Sequence, residues 1–291
     1  MPSTRDIRRR IKSVKSTQQI TKAMQMVASA KMRRAQQAAL ASRPYARQLY
    51  RIQRDATTHA GDFTHPLLEK REVRRRAVVL VSSDKGMCGA LNSNQFREAA
   101  RYDRQSTVFI AAGRKAAQFV ARTRRELAGE FPYHDTPAFR EARAIVKMAA
   151  DLFLSRKVDQ VDIFFNRFIN TVTQKPVAAE FLPISEISGL SLTREEQTPP
   201  EALEQTPEFL FEPSAGDVLG ALLPHYLNLY MYQILLEAKA SEQSARMVAM
   251  KNATDNANQI IKDLTLEYNK MRQTSITNEL LEISTAQMAL E

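Results

Sequence analysis

From His225 to Glu291 the chain contains neither proline nor glycine, and nothing else in the sequence restricts its fold as strongly. A run of that length, rich in Ala, Gln, Asn, Lys and Leu, offers no residue that punctuates a turn, so it is predicted as one continuous helix. Ser214, just after Pro213, is placed to cap its first turn. At 1.5 Å per residue, roughly 70 residues give a rod of about 105 Å. A compact domain of this size is far shorter, so the helix is expected to project beyond whatever folds beside it.

The other end of the chain repeats the pattern. Between Thr4 and Thr58 there is no glycine and a single proline, Pro44, which predicts a second helix of about 80 Å, bent or broken near Ser42. Its apolar residues fall at Ile7, Ile11 and Val14, then at Ile20, Met24 and Val27, in steps of three and four that make one stripe. Gln18 and Lys31 stand where strict heptads would want apolar side chains. The first helix ends where the middle of the chain begins, and the second starts where that middle ends. The simplest arrangement is therefore an antiparallel pair with both termini at the far tip. The longer helix then keeps about 15 to 20 residues with no partner in the chain. These residues carry Ile276, Leu280, Leu281, Ile283, Met288 and Leu290, an apolar surface for which a sleeve formed by other chains is expected, a frayed tail being the alternative.

The middle reads as an α/β domain. Arg76–Ser82 is a buried strand ending in a glycine-containing turn, a helical stretch follows from Leu91, and Thr107–Ala112 is a second strand. A helix over 137–155 leads to two more strands at 160–170 and 176–182. Strand and helix alternation implies a parallel sheet. The segment 190–207, rich in Thr, Glu, Gln and Pro, is expected to be a linker or mobile loop. The expected organisation is thus α/β: a long antiparallel coiled coil (1–60 and 213–291) on a Rossmann-like domain (70–212).

Charge is distributed unevenly. Residues 1–54 hold 14 Lys and Arg against Asp6 alone, whereas residues 214–291 hold 6 against 9 acidic residues. The basic excess of the first segment predicts an acidic partner. One cysteine, Cys88, excludes an intramolecular disulfide and a CxxC site, and the histidines at 59, 65, 134 and 225 form no metal motif. The N-terminus lacks the apolar core of a signal peptide. Val218–Leu236 has the length of a membrane span, but Pro224, His225, Asn228 and Gln233 would each need a partner in hydrocarbon.

Two patterns could carry chemistry. The turn Ser83-Asp-Lys-Gly86-Met-Cys-Gly89 places glycines after a strand, as phosphate-binding turns do, yet it matches neither GxGxxG nor GxxxxGK[ST]. The basic stripe Arg5, Arg8, Arg9, Lys12, Lys15 lies at helical spacing and could follow a DNA backbone. The first segment lacks the leucine zipper that would dimerise such a helix. A basic DNA-binding coiled-coil protein is the alternative reading.

Three separated stretches resemble one family. Ile7-Arg-Arg-Arg-Ile-Lys-Ser-Val-Lys-Ser-Thr-Gln-Gln-Ile-Thr-Lys-Ala-Met24 continues to Met32 in a manner similar to the N-terminal helix of F-type ATP synthase gamma subunits. Arg246-Met-Val-Ala-Met-Lys-Asn-Ala-Thr-Asp-Asn256 and Tyr268–Leu280 resemble their C-terminal helix, and Ser82–Asn92 resembles the turn after their first strand. The resemblance implies a non-catalytic central-stalk rotor with no cofactor and no metal, one copy per complex. It implies partners in alpha and beta subunits around the paired helices, and in epsilon and the c ring at the base. No nucleic acid is implied. By this likeness Arg272 and Gln273 hydrogen-bond a loop of one beta subunit, with Glu279 in the same zone, while Lys22, Met24 and Lys31 face an acidic lever of beta. Phe209, Phe211 and Glu212 resemble the foot that meets the c ring. The implied location is peripheral, on the cytoplasmic face of a bacterial inner membrane, in a proton-translocating complex.

Overall fold

A computed structural model describes residues 3–59, 63–184, 211–212 and 214–288. In chain order the elements are α1 (Thr4–His59), β1 (Arg76–Val81), α2 (Leu91–Ala99), β2 (Thr107–Ala112), α3 (Arg114–Arg122), β3 (Glu126–Phe131), α4 (Phe139–Leu154), β4 (Gln160–Phe168), β5 (Gln174–Leu182) and α5 (Ala215–Met288). The predicted linker at 190–207 lies outside the described residues. The chain forms two compact units, one of Ser29–Ala245 and one combining Met1–Ala28 with Arg246–Glu291.

In the larger unit the five strands lie in the order β3-β2-β1-β4-β5. The first four are parallel and β5 returns antiparallel along β4. A parallel strand is covered on both faces, which is why β1 reads Ala-Val-Val-Leu-Val without alternation. Its side chains divide between two cores. Ala77, Val79 and Val81 join Val108, Ile110, Ile163, Phe165 and the inner faces of α4 and α5. Val78 and Leu80 join Phe109, Ala111, Phe164 and the α2–α3 face. Phe109, Phe153, Phe165 and Ile145 are essentially inaccessible to water; each contributes about 1.5–3 kcal/mol by burial.

α3 and β3 are the elements that the sequence pattern does not predict. Glu-Leu-Ala-Gly-Glu-Phe is an edge strand, largely exposed, so it needs no apolar run. α1 also differs from expectation, because it passes through Pro44 without a break. Proline removes one donor, to the carbonyl of Leu40. Leu40 is exposed, so its carbonyl can turn to water, and the Ser42 hydroxyl donates to the Ala39 carbonyl at 2.9 Å. α5 likewise contains Pro224, within the first turns. Its start is as predicted: the Ser214 hydroxyl accepts from the Asp217 N–H at 3.1 Å and donates to the Asp217 carboxylate at 2.6 Å, closing the cap.

No helix among the described residues is long and apolar enough to cross a membrane.

Candidate functional site

The smaller unit is a helix pair. Ser3 caps α1: its hydroxyl accepts from the Asp6 N–H at 3.2 Å and donates to the Asp6 carboxylate at 2.8 Å. The hydroxyl bond to the carboxylate, foremost, and then the Ser3 N–H donating to it at 3.3 Å hold the Asp6 carboxyl below its ordinary range. From there a seam of side chains turned away from solvent runs through Ile7, Ile11, Val14, Gln18, Thr21, Gln25 and Ala28 in an unbroken alternation of fours and threes, with Met24 half-buried at its margin. On α5 the matching positions are Thr254, Ala257, Ile261, Leu264, Tyr268 and Met271. The Thr21 and Thr254 hydroxyls meet at 2.8 Å, and the Arg8 guanidinium lies 5.9 Å from the centre of the Tyr268 ring. Position 8 faces 268 and position 21 faces 254, so the helices run antiparallel.

That seam corrects the apolar stripe expected from sequence. It holds strict heptads by accepting Gln18, Thr21 and Gln25, and leaves Ile20 and Val27 more than half exposed. Met24 is half-buried and Lys22 exposed. The apolar residues therefore divide into two sets, one closing the helix pair and one facing outward, available to a partner.

Past Met271 every side chain described on α5, up to Thr285, is exposed, beyond the Arg8–Tyr268 contact near the start of α1. Leu280 is 62% exposed and Ile283 65%. Arg272 and Glu279 stand two turns apart, on one face, with Gln273 beside the first. Glu279 accepts from the Ser275 hydroxyl at 3.3 Å. Of the proposed foot, Phe209 lies outside the described residues, Phe211 is half-buried and Glu212 exposed.

The glycine-containing turn after β1 is occupied by the protein's own groups. Gly89 and Met87 both have φ of 60°, which supplies the reversal. The amide donors that open α3 are already taken: Arg114 N–H by the Asp84 carboxylate at 2.9 Å, Lys115 N–H by the Ser83 carbonyl at 3.1 Å and Ala116 N–H by the Ser82 hydroxyl at 2.7 Å. Strand order reverses between β1 and β4, and in open α/β sheets ligands lie at the carboxyl ends of such strands. Here the buried Gln95 amide fills that crevice, donating to the Val81 carbonyl at 2.7 Å and the Phe164 carbonyl at 3.1 Å, while its oxygen accepts from Asn166 at 3.0 Å. Cys88 is buried in the same turn, with the Asn92 amide donating to its sulfur at 3.4 Å.

One cluster in the larger unit escaped the sequence reading. Lys239 of α5, 1% exposed, donates to the Glu242 carboxylate at 3.0 Å, lies 3.9 Å from the Asp135 carboxylate and sits 4.4 Å above the Tyr133 ring. Lys31 of α1 is hydrogen-bonded to the same Asp135. The hydrogen bond from Lys31, then the charges of Lys239 and Lys85, hold the Asp135 carboxyl below its ordinary range against the opposing effect of burial. The signal was an i,i+3 Lys-Glu pair inside an Ala- and Ser-rich stretch of α5, which could equally have been a solvated surface pair.

The sequence family described as ATP synthase matches residues 3–290. The ATP synthase gamma chain of Opitutus terrae is 47% identical over 293 residues, covering 99% of both chains. The chain belongs to the ATP synthase gamma-chain family. The gamma chain of Methylacidiphilum infernorum is 43% identical over the whole of both chains. Among solved structures, a chain of the Tetrahymena thermophila mitochondrial ATP synthase central stalk and c ring is 25% identical with a TM-score of 0.59, covering 80% of this chain and 99% of that one. The fold also matches a chain of the Euglena gracilis mitochondrial ATP synthase at a TM-score of 0.71 and 21% identity, covering 99% and 94%. Nothing in these likenesses supports the DNA-binding reading.

Proposed function

We propose that this chain is the rotor of a bacterial proton-translocating F-type ATP synthase, carrying no catalytic site of its own. It couples turning of the c ring to conformational change in the alpha and beta subunits. The observation that carries this reading is the extension of α5 beyond α1: from Arg272 onward the helix has no partner among the described residues and exposes Ile276, Leu280, Leu281 and Ile283. A bore lined by other chains removes that surface from water. A single asymmetric shaft presents a different face to each of three otherwise equivalent sites and so biases their conformations in turn.

Arg272 and Gln273 are assigned to a hydrogen-bonded contact with one beta subunit, the planar guanidinium fork suiting a carboxylate-bearing loop. Glu279, Lys22, Met24 and Lys31 are assigned to the same hexamer. Phe209, Phe211 and Glu212 are assigned to the c-ring contact beside epsilon. One copy serves each complex, held peripherally on the cytoplasmic face of the inner membrane through its partners. Three domains follow, helices 1–60 and 213–291 and the α/β base 70–212.

The test is reconstitution with the alpha and beta subunits of the same synthase. The expected result is a complex containing one copy of this chain with stimulated ATP hydrolysis, reduced by Arg272→Ala. Absence of any complex with matched subunits would sink the reading.

A further inference from the structure

We propose that the ionic cluster Lys31, Asp135, Lys239 and Glu242 is a torsional key, locking the base segments of both long helices to the α/β sheet so that they turn with it as one body. The inference rests on the rotor reading and adds to it a positioning role for residues with no assigned partner contact of their own, Asp135, Lys239 and Glu242.

The geometry has the features such a key requires. One carboxylate serves both helices: Asp135 Oδ2 engages Lys31 of α1 and Asp135 Oδ1 faces Lys239 of α5. Rotating either helix about its own axis withdraws one lysine from a shared acid. The loop carrying Asp135 cannot follow, because Tyr133, two residues earlier, is fully buried and its hydroxyl donates to the Ser82 carbonyl at the end of β1 at 2.9 Å. The Tyr133 ring in turn bears on the Lys239 ammonium. Three elements are thus joined to the central strand through directed contacts.

Direction is what distinguishes this cluster from the apolar packing around it. Hydrophobic contact is non-directional, and a helix can shift slightly against an apolar surface by exchanging one contact for another. The Lys239 ammonium, 1% exposed, keeps Glu242 on its own helix when α5 turns, but it leaves Asp135, a carboxylate 52% exposed, and the buried Tyr133 ring, and both of those contacts depend on its direction. As a source of stability a buried ion pair is weak; as a device that fixes one arrangement it is well suited.

The test uses the assembled alpha, beta and gamma complex, with a bead attached to the base through Gln118→Cys and the helix pair held by the hexamer. Asp135→Asn keeps the volume and removes the charge that both lysines share. Angular variance of the bead during catalytic pauses is expected to rise roughly twofold or more, the low end of what residues in a coupling network contribute, with little change in thermal stability. Lys239→Met combined with Glu242→Leu replaces the buried pair by apolar volume and is expected to widen the distribution even where it leaves the melting temperature unchanged. Ile145→Val, a core substitution elsewhere in the base, supplies the control for stability loss alone. Wild-type angular variance in Asp135→Asn overturns the proposal, and so does a widening matched by Ile145→Val at equal loss of stability. Failure of the unsubstituted chain to rotate would count against the rotor reading instead.

Discussion

Thr21 and Thr254 face each other hydroxyl to hydroxyl at 2.8 Å across the helix pair, at a seam position where a coiled coil ordinarily carries Leu or Ile. Each hydroxyl also lies within hydrogen-bond distance of its own helix, Thr21 of the Gln18 carbonyl at 3.0 Å and Thr254 of the Met250 carbonyl at 2.9 Å. Each carries one proton, so the pair shares three bonds between two donors. Replacing one threonine by valine leaves the other hydroxyl with a buried apolar neighbour. Replacing both substitutes a well-matched apolar contact. Thr21→Val and Thr254→Val are each expected to cost about 1 kcal/mol, and the double substitution close to nothing. A double-mutant cycle on thermal unfolding measures this, and strictly additive losses would contradict it.

Glycines in the base divide sharply by geometry. Gly113 has φ of +98°, and a Cβ there would stand 2.3 Å from the Ser82 carbonyl oxygen, in the backbone of the central strand. Its N–H also donates to the Phe131 carbonyl at 3.0 Å. Gly86 has no atom within 4 Å of an added Cβ. Gly113→Ala is expected to destabilise the base by about 3 kcal/mol or more, through strain in both backbone and packing, whereas Gly86→Ala changes stability by less than about 0.5 kcal/mol. Chemical denaturation of the two variants distinguishes these outcomes.

The long helices, their antiparallel pairing and the unpartnered end of α5 were legible because each follows from an uninterrupted run and a length difference. The buried strands β1, β2 and β4 were legible from continuous apolar character. What failed was inference from hydrophobicity alone. Ile20 and Val27 are apolar and point to solvent, while Gln18 and Gln25 face the seam. In a shaft, the outward face also needs apolar residues, so composition no longer separates inside from outside. β3 was illegible for the converse reason, as an edge strand with Glu126 and Glu130 exposed. Among the site residues, Lys31 was expected to face an acidic segment of a beta subunit, and only the fold reveals that Asp135, a hundred residues away, engages it.

Glu237 gives the base a pH dependence. Its carboxyl is largely buried on α5 and accepts from the Phe168 N–H at 3.2 Å, where β4 ends. Burial raises its pKa to about 7, against the opposing charge of Arg167 and that hydrogen bond. The folded state therefore holds a proton that the unfolded chain releases near 4.5. Stability from this group is complete below about pH 4.5 and is lost as pH rises through 7, by up to roughly 3 kcal/mol in total. Glu237→Gln keeps the acceptor oxygen and cannot ionise. It is expected to match the parent near pH 5 and to exceed it at pH 8. Melting temperatures across that range test the sign; a parent that gains on Glu237→Gln as pH rises would refute the assignment.

The end of α5 supplies the clearest separation between stability and assembly. Leu280 and Leu281 are 62% and 58% exposed with no partner among the described residues, so Leu280→Ser with Leu281→Ser should leave the thermal stability of the isolated chain within about 0.5 kcal/mol. If the hexamer encloses the same side chains, as the proposed rotor reading requires, each leucine then contributes on the order of 1–2 kcal/mol by burial. The double substitution is accordingly expected to weaken association with alpha and beta subunits by roughly tenfold or more, mainly through faster dissociation. Dissociation rates of labelled chain from the hexamer measure this directly. An unchanged rate would mean that the hexamer does not enclose these leucines, and would move the load-carrying contact back along α5 to Arg272 and Gln273.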